Sequence, residues 1–187
     1  MLIDRTLITA LLLESITIPR SAAARVKSLG GGYALALLAV ALVAALSAVI
    51  SVLVSQITPP TGNPEMDLLM RQPLLLAAMQ ALGMAIFALS VTGVGRLFGG
   101  TGRLDQVLLV IAWLDFLLLA LQLGLLLLML AFPASAGVLS LVAFAMITWL
   151  LAAFIAEVHD FKSTFLTAVV FLGALLLIGV ALVYLSA

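Results

Sequence analysis

The sequence lacks cysteine altogether, and charged residues make up only 9% of its 187 positions. The missing cysteine excludes disulfides, thiolate metal sites and cysteine nucleophiles. A soluble globular domain carries roughly 25% charged residues, so this chain has too few charged side chains to cover itself in water. Basic and acidic residues balance at 8 each, and this zero net charge gives no reason to expect a nucleic-acid partner.

Hydrophobic residues are abundant instead, at 66% of the chain, and they form five long segments. A helix needs about 20 residues to cross the hydrocarbon core of a bilayer, and each segment reaches that length. Backbone groups in lipid must bond to one another, so each segment is expected to be helical. The sequence therefore predicts an all-α polytopic membrane protein with one domain over residues 1–187. Its five predicted transmembrane helices are Tyr33–Ile57, Leu74–Phe98, Val107–Phe132, Gly137–Ala156 and Phe165–Leu185.

The basic residues indicate how the helices are oriented. With five spans, seven of the eight basic residues fall on one side of the membrane, and only Arg71 falls on the other. Cytoplasmic loops carry an excess of lysine and arginine, so the N-terminus is expected in the cytoplasm and the C-terminus outside. The seven residues are Arg5, Arg20, Arg25, Lys27, Arg96, Arg103 and Lys162.

Residues 1–32 precede the first span and predict two short helices in the membrane interface. The first 20 residues have an early acid and base and only a short apolar core, which favours mature protein over a signal peptide. Pro19 breaks the apolar first helix, and Ser21 is a predicted N-cap of the second. Such segments commonly anchor a protein at the interface, and they can also bind lipids or a partner. The predicted lipid or partner contacts are Arg20, Arg25, Lys27, Arg96 and Arg103.

The turn "GVGRLFGGTGRLD" is rich in glycine and basic residues, as phosphate-binding loops are. It lacks the lysine followed by serine or threonine that a phosphate loop requires, and it connects two membrane helices rather than a strand and a helix. A nucleotide role is therefore not expected. The glycines are instead predicted to end the second span, with Thr101 or Asp105 capping the third.

Asp115 lies well inside the third span, where an unpaired carboxylate costs about 2.5–3.5 kcal/mol on insertion scales. Gln122 shares its helix face seven residues on, and Gln80 in the second span is a further partner. These three residues predict a polar interface within the membrane. A buried hydrogen bond that fixes packing is the simpler interpretation. A protonatable functional group is the alternative, although the sequence offers no basic residue at that depth to complete a proton relay.

The stretch "AEVHDFK" collects Glu157, the only histidine His159, and Asp160. Neither a second histidine nor a cysteine is present to complete a metal site, so a solvated turn is expected, with a weak oxygen-rich site as the alternative. Asp160 is expected to attract Lys162 or Arg103. No cofactor, metal or catalytic residues are predicted.

Small residues recur every fourth position in the first two spans, which favours close helix packing. A water-lined path is the alternative, although these stripes carry no charge. The predicted packing residues are Ser47, Ser51 and Ser55, with Ala77, Ala81 and Ala85.

The segments "TIPRSAAARV", "GGTGRLDQVLLVIAWLD" and "WLLAAFIAEVHDFKSTFLTAVV" together resemble the Yip domain family, in particular its bacterial members. The resemblance implies a five-helix membrane domain with a cytoplasmic N-terminus, and it provides no catalytic residues. Eukaryotic relatives interact with Rab-type GTPases and shape or sort membranes. Their long cytoplasmic N-terminal region has no counterpart in this sequence, so Rab-like binding is not expected from the resemblance.

The sequence is therefore interpreted as a non-enzymatic, multi-pass protein of the bacterial inner membrane. It is expected to work by association with membrane lipids, with itself, or with a larger complex as a scaffold, assembly or accessory subunit. A small transporter or channel that uses Asp115 is the alternative.

Overall fold

The computed structural model describes residues 5–57, 62–132 and 136–186, and within these ranges the regular structure is entirely helical. The eight helices are α1 (Arg5–Thr17), α2 (Pro19–Ser28), α3 (Gly32–Ile57), α4 (Pro64–Leu69), α5 (Pro73–Leu97), α6 (Leu104–Ala131), α7 (Ala136–Val158) and α8 (Thr164–Ser186).

Four of these helices are long and apolar enough to cross a membrane. The apolar stretches are Gly32–Gln56, Pro73–Leu97, Leu104–Met129 and Gly137–Val158, and they have 22 to 26 residues each. They match the first four predicted spans. The fifth predicted segment is covered by α8, whose crossing of the membrane stays a prediction.

Proline defines the start of helix α2. Pro19 occupies the first turn of α2, and Ile18 before it has φ −138° and ψ 68°. Such a start suits proline, which has no N–H to leave unpaired. The prediction that Ser21 caps this helix is wrong, because its hydroxyl lies within the helix and donates to Glu14 Oε1 at 2.5 Å.

The helix α4 was not foreseen within the proline-rich connection at residues 58–73. The side chain of Asn63 accepts hydrogen bonds from the backbone N–H groups of Glu65 and Met66, at 3.0 and 3.3 Å. Pro64 follows directly, so a standard asparagine cap and a proline at the first position initiate this short helix.

Helix α6 lies at the centre of the bundle. Half of its apolar stretch is buried, compared with 17–33% for the other three membrane-length helices. It contacts α2, α3, α5 and α7, and α3 also packs along α5. A helix that packs against protein on some sides and is long and apolar enough to span a membrane is expected to be apolar all round rather than amphipathic.

The small residues of α3 and α5 differ in how deeply they are buried. In α3 the fully buried small residues are Ala36, Ala44 and Ala48. Of the predicted packing residues, Ser47 and Ser55 are half-buried, Ser51 is exposed, and Ala77, Ala81 and Ala85 of α5 are half-buried. The most buried small residues of α3 are therefore alanines rather than the predicted serines.

The N-terminal helices dock on the protein. Ala22, Ala23 and Val26 of α2 are at most 1% exposed and pack among α6 and α7. The buried hydroxyl of Ser15 in α1 accepts from Trp113 Nε1 at 3.0 Å, which fastens α1 to α6. The two short helices thus belong to the folded core.

Candidate functional site

Helix α2 and two turns meet at one end of the bundle. The turn between α5 and α6 touches the turn between α7 and α8, and the N–H of Thr101 donates to the carbonyl of His159 at 3.3 Å. We call this meeting point the polar junction. It is formed by Arg20 and Lys27 of α2, Thr101, and Glu157, His159 and Asp160 around the end of α7.

Arg20 is the first tie between α2 and the α7–α8 turn. Its Nε donates to Glu157 Oε2 at 2.9 Å, in an ion pair. Its Nη2 and Nη1 reach the backbone carbonyls of Phe161 and Lys162, at 2.8 and 3.2 Å. A guanidinium that serves a carboxylate and two carbonyls together fixes both position and angle, because its donors have a rigid fork geometry.

Lys27 is the second tie. Its Nζ lies 2.8 Å from Asp160 Oδ1, and the hydroxyl of Thr101 donates to the other oxygen of the same carboxylate. Lys27 is the main cause that holds the pKa of Asp160 below its usual range, and Thr101 adds to it. Asp160 was expected to attract Lys162 or Arg103, and the structure gives it Lys27 as its ion-pair partner instead. The cap predicted for α6 by Thr101 or Asp105 is also wrong, because α6 begins without a side-chain cap.

His159 is the buried centre of the polar junction. The expectation of a solvated turn is wrong here, because the histidine is 1% exposed. Its Nδ1 lies 3.1 Å from the carbonyl of Ile155, and its ring stacks on Phe161 with centroids 5.5 Å apart. Burial is the main cause that lowers the pKa of His159, and the nearby charge of Lys27 adds to it.

Three glycines make room for the histidine ring. A methyl group added to Gly95 would overlap the ring, and one added to Gly100 or Gly102 would approach it to 2.7 or 2.8 Å. Real side chains essentially never pack this closely, so no larger residue fits without a shift of the ring. The glycine-rich turn is therefore a cradle for His159. Gly99 has a different part, since its φ of 80° lets the chain leave α5.

The basic residues predicted to contact lipid or a partner are largely engaged within the chain. Arg25 pairs with Glu14 at 2.7 Å, and Arg20 and Lys27 bind the α7–α8 turn as described above. Arg103 pairs with the buried carboxylate of Asp105 at 3.1 Å while its own side chain stays 69% exposed. Arg96 is exposed at the end of α5.

Within the membrane-length helices, one predicted polar contact is formed. Gln80 Nε2 of α5 donates to Asp115 Oδ2 of α6 at 2.5 Å. Gln122 takes no part in it. It is exposed and lies with Ser51 on a cleft of about 260 Å³ between α3 and α6, otherwise lined by aliphatic residues.

The described ranges contain no group of three or more histidine, aspartate or glutamate side chains arranged to hold a metal ion. Glu157 and Asp160 of the polar junction are engaged by basic side chains, and His159 Nδ1 lies against a backbone carbonyl. The arrangement joins helices, and it assembles neither a nucleophile with a base nor paired catalytic carboxylates.

The fold and the site together define a class: an all-helical membrane protein whose N-terminal helices are fastened to two turns at one end of the bundle. The model of the Yip1 domain matches residues 13–185, which is nearly the whole chain. The protein therefore belongs to the Yip1 domain family. No curated protein and no solved structure is significantly similar to the chain.

Proposed function

We propose that the protein acts by association within the bacterial inner membrane, as a non-enzymatic scaffold, assembly or accessory subunit. Membership of the Yip1 domain family supports this proposal, because the family is a membrane protein family not known for enzymatic activity. In the proposed topology α8 completes five crossings, the N-terminus is cytoplasmic and the C-terminus is outside. The crowding of basic residues around the polar junction supports that orientation.

One observation carries the proposal, namely the exposed side chain of Gln122. This amide lies well along α6 and, among the described residues, it makes no hydrogen bond in the protein. An amide that faces hydrocarbon without a partner costs several kcal/mol. A second protein chain would remove this cost. Glutamine has both a donor and an acceptor, so a second copy or an unrelated membrane helix with a polar residue would satisfy it.

The first experiment is native mass spectrometry of the protein after gentle extraction from its own membrane. We expect a homo-oligomer or a complex of fixed ratio, and we expect Gln122→Leu to weaken it. An interhelical hydrogen bond contributes about 0.6–2 kcal/mol, so the dissociation constant should rise roughly 3- to 30-fold.

Gln80→Leu is the matched control, since it removes a glutamine that is bonded inside the protein. It should lower the stability of the bundle and leave the assembly interface in place. A wild-type protein that is monomeric in its native membrane, and in mild detergent, would contradict the proposal.

The second candidate function is a small transporter or channel, and the Gln80–Asp115 contact favours it. Acidic residues within membrane spans often mark ion pathways or proton relays, and this carboxyl group lies between two membrane-length helices. The chain has no cysteine of its own, so Asp115→Cys can be probed with water-soluble thiol reagents.

Labelling of Asp115→Cys from either side of the membrane would support a water-filled path. Leu127→Cys is the control, since Leu127 is a 68% exposed residue of the same helix and should be shielded by lipid. Equal protection of both cysteines would count against transport and leave association as the function.

A further inference from the structure

The protonation state of His159 follows from its contacts. The Ile155 carbonyl can only accept a hydrogen bond, so we assign the proton of the neutral ring to Nδ1, which lies 3.1 Å from it. A neutral ring then has a bare lone pair on Nε2. In the described part of the chain, Nε2 is the one buried side-chain nitrogen or oxygen without a hydrogen-bond partner. It faces the backbone of Gly95 and Gly102, where no acceptor for a second proton lies within bonding distance.

Protonation of Nε2 would therefore strain the polar junction. The new N–H would lack an acceptor, and a positive charge would be buried away from water. Lys27 of α2 and Arg96 of α5 would repel this charge. Asp160 in the same turn would attract it, but its carboxylate already serves Lys27 and Thr101.

The other charged groups around the junction do not offset this strain. Glu157 of α7 is engaged by Arg20, and Arg103 at the start of α6 is paired with Asp105. Three glycines lie close against the ring and Phe161 stacks on it, so these sides of the ring are already occupied. A displaced ring would push the α5–α6 turn away from the α7–α8 turn. The ion pairs of Arg20 and Lys27, which hold α2 on the bundle, both end on or beside the α7–α8 turn.

We propose that His159 is a proton-sensitive latch that holds α2 on the bundle when neutral and releases it when protonated. Release would free Arg20 and Lys27 from their acidic partners and expose the alanine face of α2. The proposal stands on the polar junction alone and goes beyond the proposed association through Gln122. Failure of either one leaves the other intact.

The pH window of the latch follows from the direction of the shift. The pKa of His159 in the docked state lies below its usual value near 6.5, with burial as the main cause. Docking of α2 is then fully stabilised above about pH 6.5 and weakens as the pH falls below that value. One proton is involved, so the population with released α2 rises at most about tenfold for each pH unit.

Thiol labelling of α2 in membranes measures this release. Ala23→Cys places a thiol on the buried face, where Ala23 is 0% exposed, and Ser28→Cys places one on an exposed position of the same helix. The rate at Ala23→Cys divided by the rate at Ser28→Cys cancels the pH dependence of thiol chemistry. We expect this ratio to rise several-fold between pH 7.5 and pH 5.5.

His159→Asn tests whether the histidine is the cause, because asparagine keeps a donor for the Ile155 carbonyl and does not ionise. We expect the labelling ratio to lose its pH dependence in this background. An unchanged pH dependence in His159→Asn, or a flat ratio in the parent protein, would overturn the latch.

A measurement on the unmutated histidine covers the case in which His159→Asn fails to fold. The chain has a single histidine, so its imidazole nitrogen signals in a ¹⁵N-labelled sample belong to His159 alone. We expect a proton on Nδ1 at neutral pH and a titration of the docked histidine below the usual range, with the rise in labelling beginning at a higher pH than this titration. Titration at an ordinary histidine pKa, or a proton on Nε2 at neutral pH, would refute the proposal.

Discussion

Replacing Gly95 by alanine would place a methyl group against the ring of His159, and the result tests the whole account of the polar junction. Gly95 lies in the last turn of α5, where its backbone faces the ring directly. Gly100 and Gly102 also lie close to the ring, and Phe161 stacks against it, so a shift of the ring would disturb these contacts. We therefore expect Gly95→Ala to separate the two turns that the histidine joins.

The magnitude of this effect can be isolated with Gly93→Ala. Both glycines lie in α5, and a methyl group at Gly93 would meet nothing within 4 Å. Alanine improves helix propensity over glycine by about 0.8–1 kcal/mol at either position, so this gain cancels between the two variants. The remaining difference is the overpacking at His159, which typically costs about 1–3 kcal/mol.

The assay is the free energy of unfolding of the two variants in matched detergent micelles, together with the labelling of Ala23→Cys in membranes. Gly95→Ala should be about 1–3 kcal/mol less stable than Gly93→Ala. If this loss of stability falls on the docking of α2, labelling of Ala23→Cys at neutral pH should be roughly 5- to 150-fold faster in Gly95→Ala than in Gly93→Ala. Equal stability and equal labelling of both variants would show that His159 is not held by the glycine cradle.

Three further predictions concern the ties between helices. Arg20→Ala should weaken the docking of α2 by about 1 kcal/mol more than Arg25→Ala, which corresponds to roughly fivefold faster labelling of α2. Of these two arginines, only Arg20 crosses to the α7–α8 turn. Gln80→Leu should destabilise the bundle in a denaturant titration by about 0.6–2 kcal/mol, and adding Asp115→Leu should restore much of the loss by removing the orphaned carboxyl group. Asp160→Asn keeps a residue that tolerates the φ of 58° but removes the ion pair, so it should loosen α2 at neutral pH in the labelling assay. The pKa of Asp160 is lowered, so its own contribution to docking should persist down to about pH 4 and be lost only below that value.

The membrane-length helices could be predicted because their signal is local. Runs of about 20 apolar residues have one stable conformation in lipid, and four of the predicted segments agree with the structure within a few residues. The prolines of residues 58–73 predict a break between two spans, and by themselves they do not indicate the short helix α4. Its asparagine–proline start, Asn63 and Pro64, was visible in the sequence and marks a helix N-terminus.

The polar junction could not be predicted in the same way, because its residues come from three separate parts of the chain. Arg20 and Glu157 are 137 positions apart, and only the path of the bundle brings them together. One signal was available in part. A single histidine in an apolar chain, two helices after a turn with four glycines in eight positions, was compatible with a large ring packed on bare backbone. Spacing alone could not distinguish that arrangement from an ordinary helix stop.

The basic residues show how one feature can serve two purposes. Their uneven distribution favours a cytoplasmic junction, and in that interpretation they were expected to face anionic lipid. In the structure the three cations of α2 each bind an acid of the same chain, namely Glu157, Glu14 and Asp160. A cation cannot serve a carboxylate and a lipid phosphate equally well at once, so docking of α2 and binding of these residues to lipid must compete. Any change that weakens the polar junction should therefore strengthen the attraction of α2 to an anionic membrane surface.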